Sequence, residues 1–151
     1  MDEELKELYQ QVILDHNKSP RNFGKIEHAN HTAEGYNPLC GDKINVYMKI
    51  ENEIVKDITF LGSGCAISKA SASLMSSMIK GKTREEAEKI FNLFHDLIIG
   101  KLDEEKSLED LGKLTVFAGV KDFPSRVKCA SLPWHTMINA LKNIDEKVKT
   151  E

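Results

Sequence analysis

Three thiols and one carboxylate carry the chemistry this sequence could do. Cys40 stands in GYNPLCGDKI, between a Pro-containing turn and the pair Gly41–Asp42, with a strand pattern immediately after it. Cys65 follows GSG and opens a helical stretch. Two glycines there permit positive φ and close backbone approach, and a helix N-terminus stabilises a thiolate. Cys129 lies in PSRVKCASL, flanked by Arg126 and Lys128, whose charge favours a thiolate or an anionic cluster. Each of the three also admits a plainer reading, since free cysteine often packs as a small buried hydrophobe.

The spacing decides between a local and a long-range site. Cys65 comes 25 residues after Cys40, and Cys129 a further 64 after that. The two-residue gaps of a zinc knuckle are absent, so the fold itself must bring the thiols together. Three thiolates and the Asp42 carboxylate make four donors, the count that tetrahedral zinc takes. Oxygen is a harder donor than sulfur and is held less tightly by a borderline-soft metal. A permanent clip would use four sulfurs or a histidine, so the mixed set suits a site that opens or exchanges a ligand. The histidines offer less. His16 ends a helix, where it complements the dipole. His28 and His31 fall in a polar loop, His95 lies in an amphipathic helix, and His135 follows Trp134. None has metal-ligand spacing.

The elements that must position these groups follow from periodicity. Residues 3–16 repeat apolar side chains at helical spacing, with Asp2 as a cap. The stretch 17–35 has no period and contains Pro20 and Gly24, a loop pattern. From Lys43, inward Ile44, Val46, Met48 and Ile50 alternate with Asn45, Tyr47 and Lys49, the mark of a half-buried strand. ENE at 51–53 turns the chain into a second strand, IVKDITFLG. A helix of small residues runs over 65–80, its apolar face formed by Ile67, Leu74, Met75 and Met78. Thr83 and Glu86 form a capping box for a helix reaching Gly100. Residues 101–113 are charged, a surface excursion. A last helix occupies 123–149, with Pro124 at its start and Pro133 either interrupting it or beginning a new one. The order predicts an α+β sheet covered by helices.

Composition bounds the rest. The 151 residues suit a single domain, 1–151, and 40% hydrophobic with 30% charged residues excludes a disordered chain. Apolar runs fall short of the roughly 18 residues that span a bilayer, and MDEELKELYQ is unlike a secretory signal, so no membrane partner and a cytoplasmic location are expected. A net charge of −3 with scattered lysines argues against nucleic acid. Three cysteines, an odd number, argue against a disulfide framework.

Taken together, LYQQVILDHNKSPRNFG, NPLCGD, GSGCAISKASASLM, GKT and FPSRVKCASL resemble, in order and over nearly the whole chain, the iron–sulfur cluster assembly proteins of the IscU/SufU family. Two features look closer to the SufU branch. The segment between Gly81 and Phe123 is longer than an IscU-like chain needs, an insertion of about 83–115, and Lys128 stands where IscU-like proteins carry a histidine ligand. The resemblance implies a SufE/NifU (IscU-like) fold, with a three-stranded antiparallel sheet covered by helices on one side. It implies zinc at Cys40, Asp42, Cys65 and Cys129, and a SufS-type cysteine desulfurase as partner among other iron–sulfur assembly proteins. In SufU-like proteins the desulfurase is thought to offer a histidine to the zinc, freeing the thiolate that matches Cys40 to accept persulfide sulfur. Arg126 matches a family arginine that would orient Asp42 or the persulfide. The loop 17–35 either covers the sheet or docks the desulfurase. Two other readings remain at this point: a scaffold holding a [2Fe-2S] cluster or iron on Cys40, Cys65 and Cys129, and a purely structural zinc clip, disfavoured by the size of the core.

Overall fold

The computed structural model describes residues 3–102, 109–143 and 148–149; the expected Asp2 cap and residues 103–108 of the charged 101–113 stretch lie outside them. The chain order is α1 (Glu3–Lys18), β1 (His31–Asn37), β2 (Asp42–Glu51), β3 (Ile54–Ser63), α2 (Ala66–Ile79), α3 (Arg84–Ile98), a run of 3₁₀ turns (Gly112–Asp122), α4 (Pro124–Leu141) and β4 (Val148–Lys149). The fold is α+β. Strands β1, β2 and β3 form an antiparallel sheet with β2 in the middle, and the two residues of β4 add to the outer edge of β1 in parallel.

Alternation in β2 works as the sequence predicts. Ile44, Val46, Met48 and Ile50 are buried, while Asn45, Tyr47 and Lys49 are half-covered on the other face. Val55, Ile58 and Phe60 of β3 continue the inner face. Helix α2 lies over β3, and α4 crosses β1 and β2. The small residues of α2 let it sink into the interior: Ser68, Ala70, Ser71, Ala72, Ser73 and Ser76 are all buried alongside Leu74, Met75 and Ile79. Its predicted apolar positions Ile67 and Met78 pack against the core only in part. The α3 capping box is formed, with Glu86 N–H donating to Thr83 Oγ1 at 3.1 Å and Thr83 N–H to Glu86 Oε1 at 3.0 Å.

Four expectations are corrected. Residues 31–35, read as loop, belong to β1, whose inward positions are His31, Gly35 and Asn37. Polar or missing side chains there hide the period-two pattern. Gly35 is required by packing: a Cβ would overlap Thr136 Oγ1 of α4. His31, expected in a polar loop, is buried in β1, with Nδ1 2.8 Å from the Ala140 carbonyl. His16 is likewise buried, with Nδ1 2.7 Å from Ser73 Oγ, a contact more specific than a helix-dipole effect. The last helix ends at Leu141 and does not reach 149, because the chain turns at Asn143 (φ +54) and returns to pair as β4. Pro133 sits inside a continuous α4. Its missing N–H removes the helical donor to the Cys129 carbonyl.

Residues 17–24 are tied down along their length. Arg21 N–H donates to Ser73 Oγ at 2.9 Å, Asn22 Nδ2 to Ser76 Oγ at 3.0 Å, and Gly24 N–H to the Phe60 carbonyl at 2.9 Å, while Phe23 stacks on Phe60. The serines of α2 thus serve the loop as well as the close helix packing.

Candidate metal centre

The site forms where the β1–β2 turn, the end of β3, the start of α2 and the second turn of α4 converge. Antiparallel pairing closes on Asn37 opposite Asp42, leaving Pro38, Leu39, Cys40 and Gly41 as the connection. Gly41 adopts φ +69, a left-handed conformation that glycine takes without a steric cost. Leu39 and Cys40 are exposed at the tip.

Asp42 lies two residues beyond that tip, yet only 1% of its surface is exposed. Its Oδ1 accepts the Cys65 N–H at 2.7 Å, and its Oδ2 lies 3.7 Å from Cys65 Sγ. Gly64 makes this contact available. It takes φ +147, and a Cβ there would overlap the Asp42 carboxylate. Cys65 caps α2 through sulfur, with the Ser68 N–H 3.4 Å from Sγ. Its thiol therefore faces the positive end of a helix, as the sequence context suggested.

Cys129, on the second turn of α4, is 3% exposed. Its Sγ lies 3.2 Å from Cys40 Sγ, and both are free thiols. Donor atoms of Cys40, Asp42 and Cys129 all fall within 4.8 Å of one another. Cys65 adjoins this group through the shared carboxylate. Burial first, then the neighbouring Cys40 and Cys65, push the Cys129 thiol far above the usual thiol range, with Asp42 acting the same way. Besides burial, the neighbouring donors therefore disfavour ionisation of Cys129, and a cation bound among them would oppose that effect. The donor set fits zinc, with sulfur and one carboxylate from separate elements.

Arg126 is not set against Asp42. Its guanidinium lies 4.6 Å over the Phe123 ring and forms no ion pair among the described residues. It lines, with Cys65, Ile67, Leu14 and Phe123, a largely apolar cleft of about 610 Å³ between α1, the 3₁₀ segment and the start of α4. Leu14 and Phe123 at its rim are exposed. Gly64 bears out the sequence context, with positive φ and close approach to Asp42, whereas Asn37 was not singled out in the sequence. Asn37 is fully buried, and its side chain reaches Cys129 Sγ on one side and the Leu39 N–H of the Cys40 turn on the other. The available signal was an Asn directly before a Pro turn, a position where the side chain commonly bonds the backbone two residues on.

Residues 8–130 match the family described as NifU-like N terminal domain. The chain is 44% identical over 133 residues to the zinc-dependent sulfurtransferase SufU of Bacillus subtilis, covering 88% of each chain. It is 41% identical over 139 residues to the iron–sulfur cluster assembly scaffold protein IscU of Thermotoga maritima, covering 92% of this chain and 96% of that one. The crystal structure of FiSufU from Fervidobacterium islandicum AW-1 superposes with a TM-score of 0.81 at 38% identity, over 89% of this chain and 97% of that one. With a family match over most of its length and relatives of this similarity, the chain belongs to the NifU-like N-terminal domain family, in its IscU/SufU group.

Proposed function

We propose that this protein works in iron–sulfur cluster assembly as a zinc-dependent acceptor of persulfide sulfur, receiving it on Cys40 from a cysteine desulfurase of the SufS kind. The single observation that carries this reading is the asymmetry of the adjacent sulfurs: Cys40 is exposed on a glycine-hinged turn, while Cys129, 3.2 Å away, is buried in α4.

Cys40, Asp42, Cys65 and Cys129 would hold the zinc, which when bound keeps its thiolates deprotonated while masking them as nucleophiles. The chain supplies the rest. Asp42, held by the Cys65 amide and packed close to Gly64, is the harder, weaker donor. Cys65 at the α2 N-terminus and Cys129 in the interior are held by backbone and burial. The Cys40 turn alone can swing outward without disturbing a helix or strand. Once free, the Cys40 thiolate attacks the terminal sulfur of the desulfurase persulfide. A new S–S bond forms on Cys40, the old S–S bond breaks, and its electron pair leaves with the desulfurase cysteine as a thiolate. No external oxidant or reductant is needed.

The similarity to SufU by name supports the zinc reading, and the similarity to proteins named as IscU scaffolds supports a second one, in which Cys40, Cys65 and Cys129 hold a [2Fe-2S] cluster or iron. Full sulfur ligation is usual for a stable cluster, and the fourth donor here is a carboxylate. Elemental analysis of protein purified without oxygen separates the two. Near-stoichiometric zinc without iron or sulfide is expected; iron with matching acid-labile sulfide would establish the scaffold. Cys40→Ala should abolish stimulation of the desulfurase, and unchanged stimulation would remove Cys40 from the acceptor role.

A further inference from the structure

Two thiols sit 3.2 Å apart, one on an exposed turn and one buried in α4, and burial is not all that sets them apart. Asn37 distinguishes them. It is the last residue of β1, fully buried, and paired across the ladder with Asp42. Its Oδ1 accepts the Leu39 N–H at 3.2 Å, which fixes the conformation of the turn one residue before Cys40. Since the Leu39 amide requires an oxygen there, the NH₂ must point the other way. It points at Cys129, with Nδ2 3.6 Å from Sγ. A carboxamide has two donors and one acceptor group, and this one is divided between the two sulfur-bearing segments.

We propose that Asn37 is a positioning residue that sorts the two sulfurs, retaining Cys129 through an N–H···S hydrogen bond while its carbonyl sets the turn from which Cys40 departs. An N–H donor to a thiolate drains charge from the sulfur and anchors its direction. Cys40 receives no such donor among the described residues; its neighbour is the Cys129 sulfur. The inference rests on the proposed metal-holding acceptor site and deepens it, by naming what makes one thiol the leaving ligand.

Two substitutions separate the parts of the amide. Asn37→Asp keeps the shape and the acceptor for Leu39 but lacks the donor to sulfur. Asn37→Ser keeps a short acceptor for the turn, as serine does in such turns, and is too short to reach Cys129. In metal-free, reduced protein, iodoacetamide labelling under native conditions, followed by peptide mass spectrometry, gives the ratio of Cys40 to Cys129 labelling rates. Wild type should label Cys40 in strong preference, and both variants should lose about tenfold or more of that ratio. With zinc, chelator competition should show affinity weakened by about 10- to 100-fold, the usual cost of removing a hydrogen-bond partner of a ligand. With cobalt in place of zinc, the sulfur-to-metal charge-transfer band should move to lower energy in both variants, a shift that a purely structural turn residue would not cause. Labelling ratios within twofold of wild type in the folded variants would overturn the proposal. Should Asn37→Asp not fold, Asn37→Ser decides on the same readouts. Failure of wild type to bind zinc would strike the metal reading instead, and the metal-free labelling ratio would still decide for or against Asn37.

Discussion

Strand β2 has a turn at each end, and the two are built on different plans. The far turn, toward β3, has two residues with left-handed backbones, Asn52 at φ +54 and Glu53 at φ +64, the mirror-type hairpin geometry that matches strand twist. It is held by main chain, with the Arg84 N–H donating to the Glu53 carbonyl at 2.9 Å. The near turn, toward β1, has four residues and one left-handed glycine, and leaves Leu39 and Cys40 exposed. Buried side chains hold it: Asn37 from below and Asp42 at its exit, each reaching a neighbouring element. A turn built for shape can be held through main-chain groups. A turn built for chemistry must leave its tip free and borrow its order from residues beside it.

The comparison can be broken at the near turn first. Asp42→Ala removes a proposed ligand and orphans the Cys65 N–H. Zinc affinity should fall by more than the roughly 10- to 100-fold of an outer partner, and the metal-free domain should lose about 1–3 kcal/mol, both measurable by chelator competition and urea unfolding. An affinity unchanged within twofold would remove Asp42 from the donor set. Chelating zinc from the wild type should lower Tm by roughly 5–10 °C if free zinc stood about 100-fold above Kd, without unfolding the domain; complete unfolding would instead indicate a structural clip. Gly64→Ala, forced into φ +147 against the Asp42 carboxylate, should cost about 1–3 kcal/mol and weaken zinc binding with it. The matching change at the far turn goes the other way. Glu53→Gly relieves a left-handed non-glycine residue, so it should be neutral or stabilising by up to ~1 kcal/mol, with zinc binding unaltered.

Between the two turns, the covering helices hold histidines kept neutral. Burial, with Arg21 as a lesser cause, lowers His16, and burial followed by His95 lowers His135. Both groups bind protons more readily unfolded, so stability is full above their ordinary value near 6.5 and declines as pH falls below it. Tm should therefore be lower at pH 5.5 than at pH 7.5, and His135→Phe, which keeps the edge contact with Phe91, should reduce that difference.

Legibility followed the amount of side-chain contrast. β2, β3 and α3 announce themselves through alternation, turn residues and a capping box. β1 does not, because its inward positions are a histidine, a glycine and an asparagine whose roles depend on α4, more than 90 residues away. The 3₁₀ segment escaped notice because LTVFAGV buries nearly every residue and so shows no period. At the site, all three cysteines and Asp42 were visible as candidates from their neighbours in sequence. Their meeting followed only from the family resemblance, since it depends on where the β1–β2 turn, α2 and α4 converge. Arg126 was expected to orient Asp42 or the persulfide; its guanidinium lies over Phe123 and not against the carboxylate.

The central claim is that the exposed thiol of the near turn, and not its buried partner, receives the sulfur. Zinc-loaded protein would be incubated with a SufS-type desulfurase, its pyridoxal cofactor and cysteine, then trapped by rapid alkylation and mapped by peptide mass spectrometry. The account predicts an added sulfur atom on Cys40 alone. An added sulfur on Cys65 or Cys129, or on none of the three while the desulfurase is still stimulated, would contradict it.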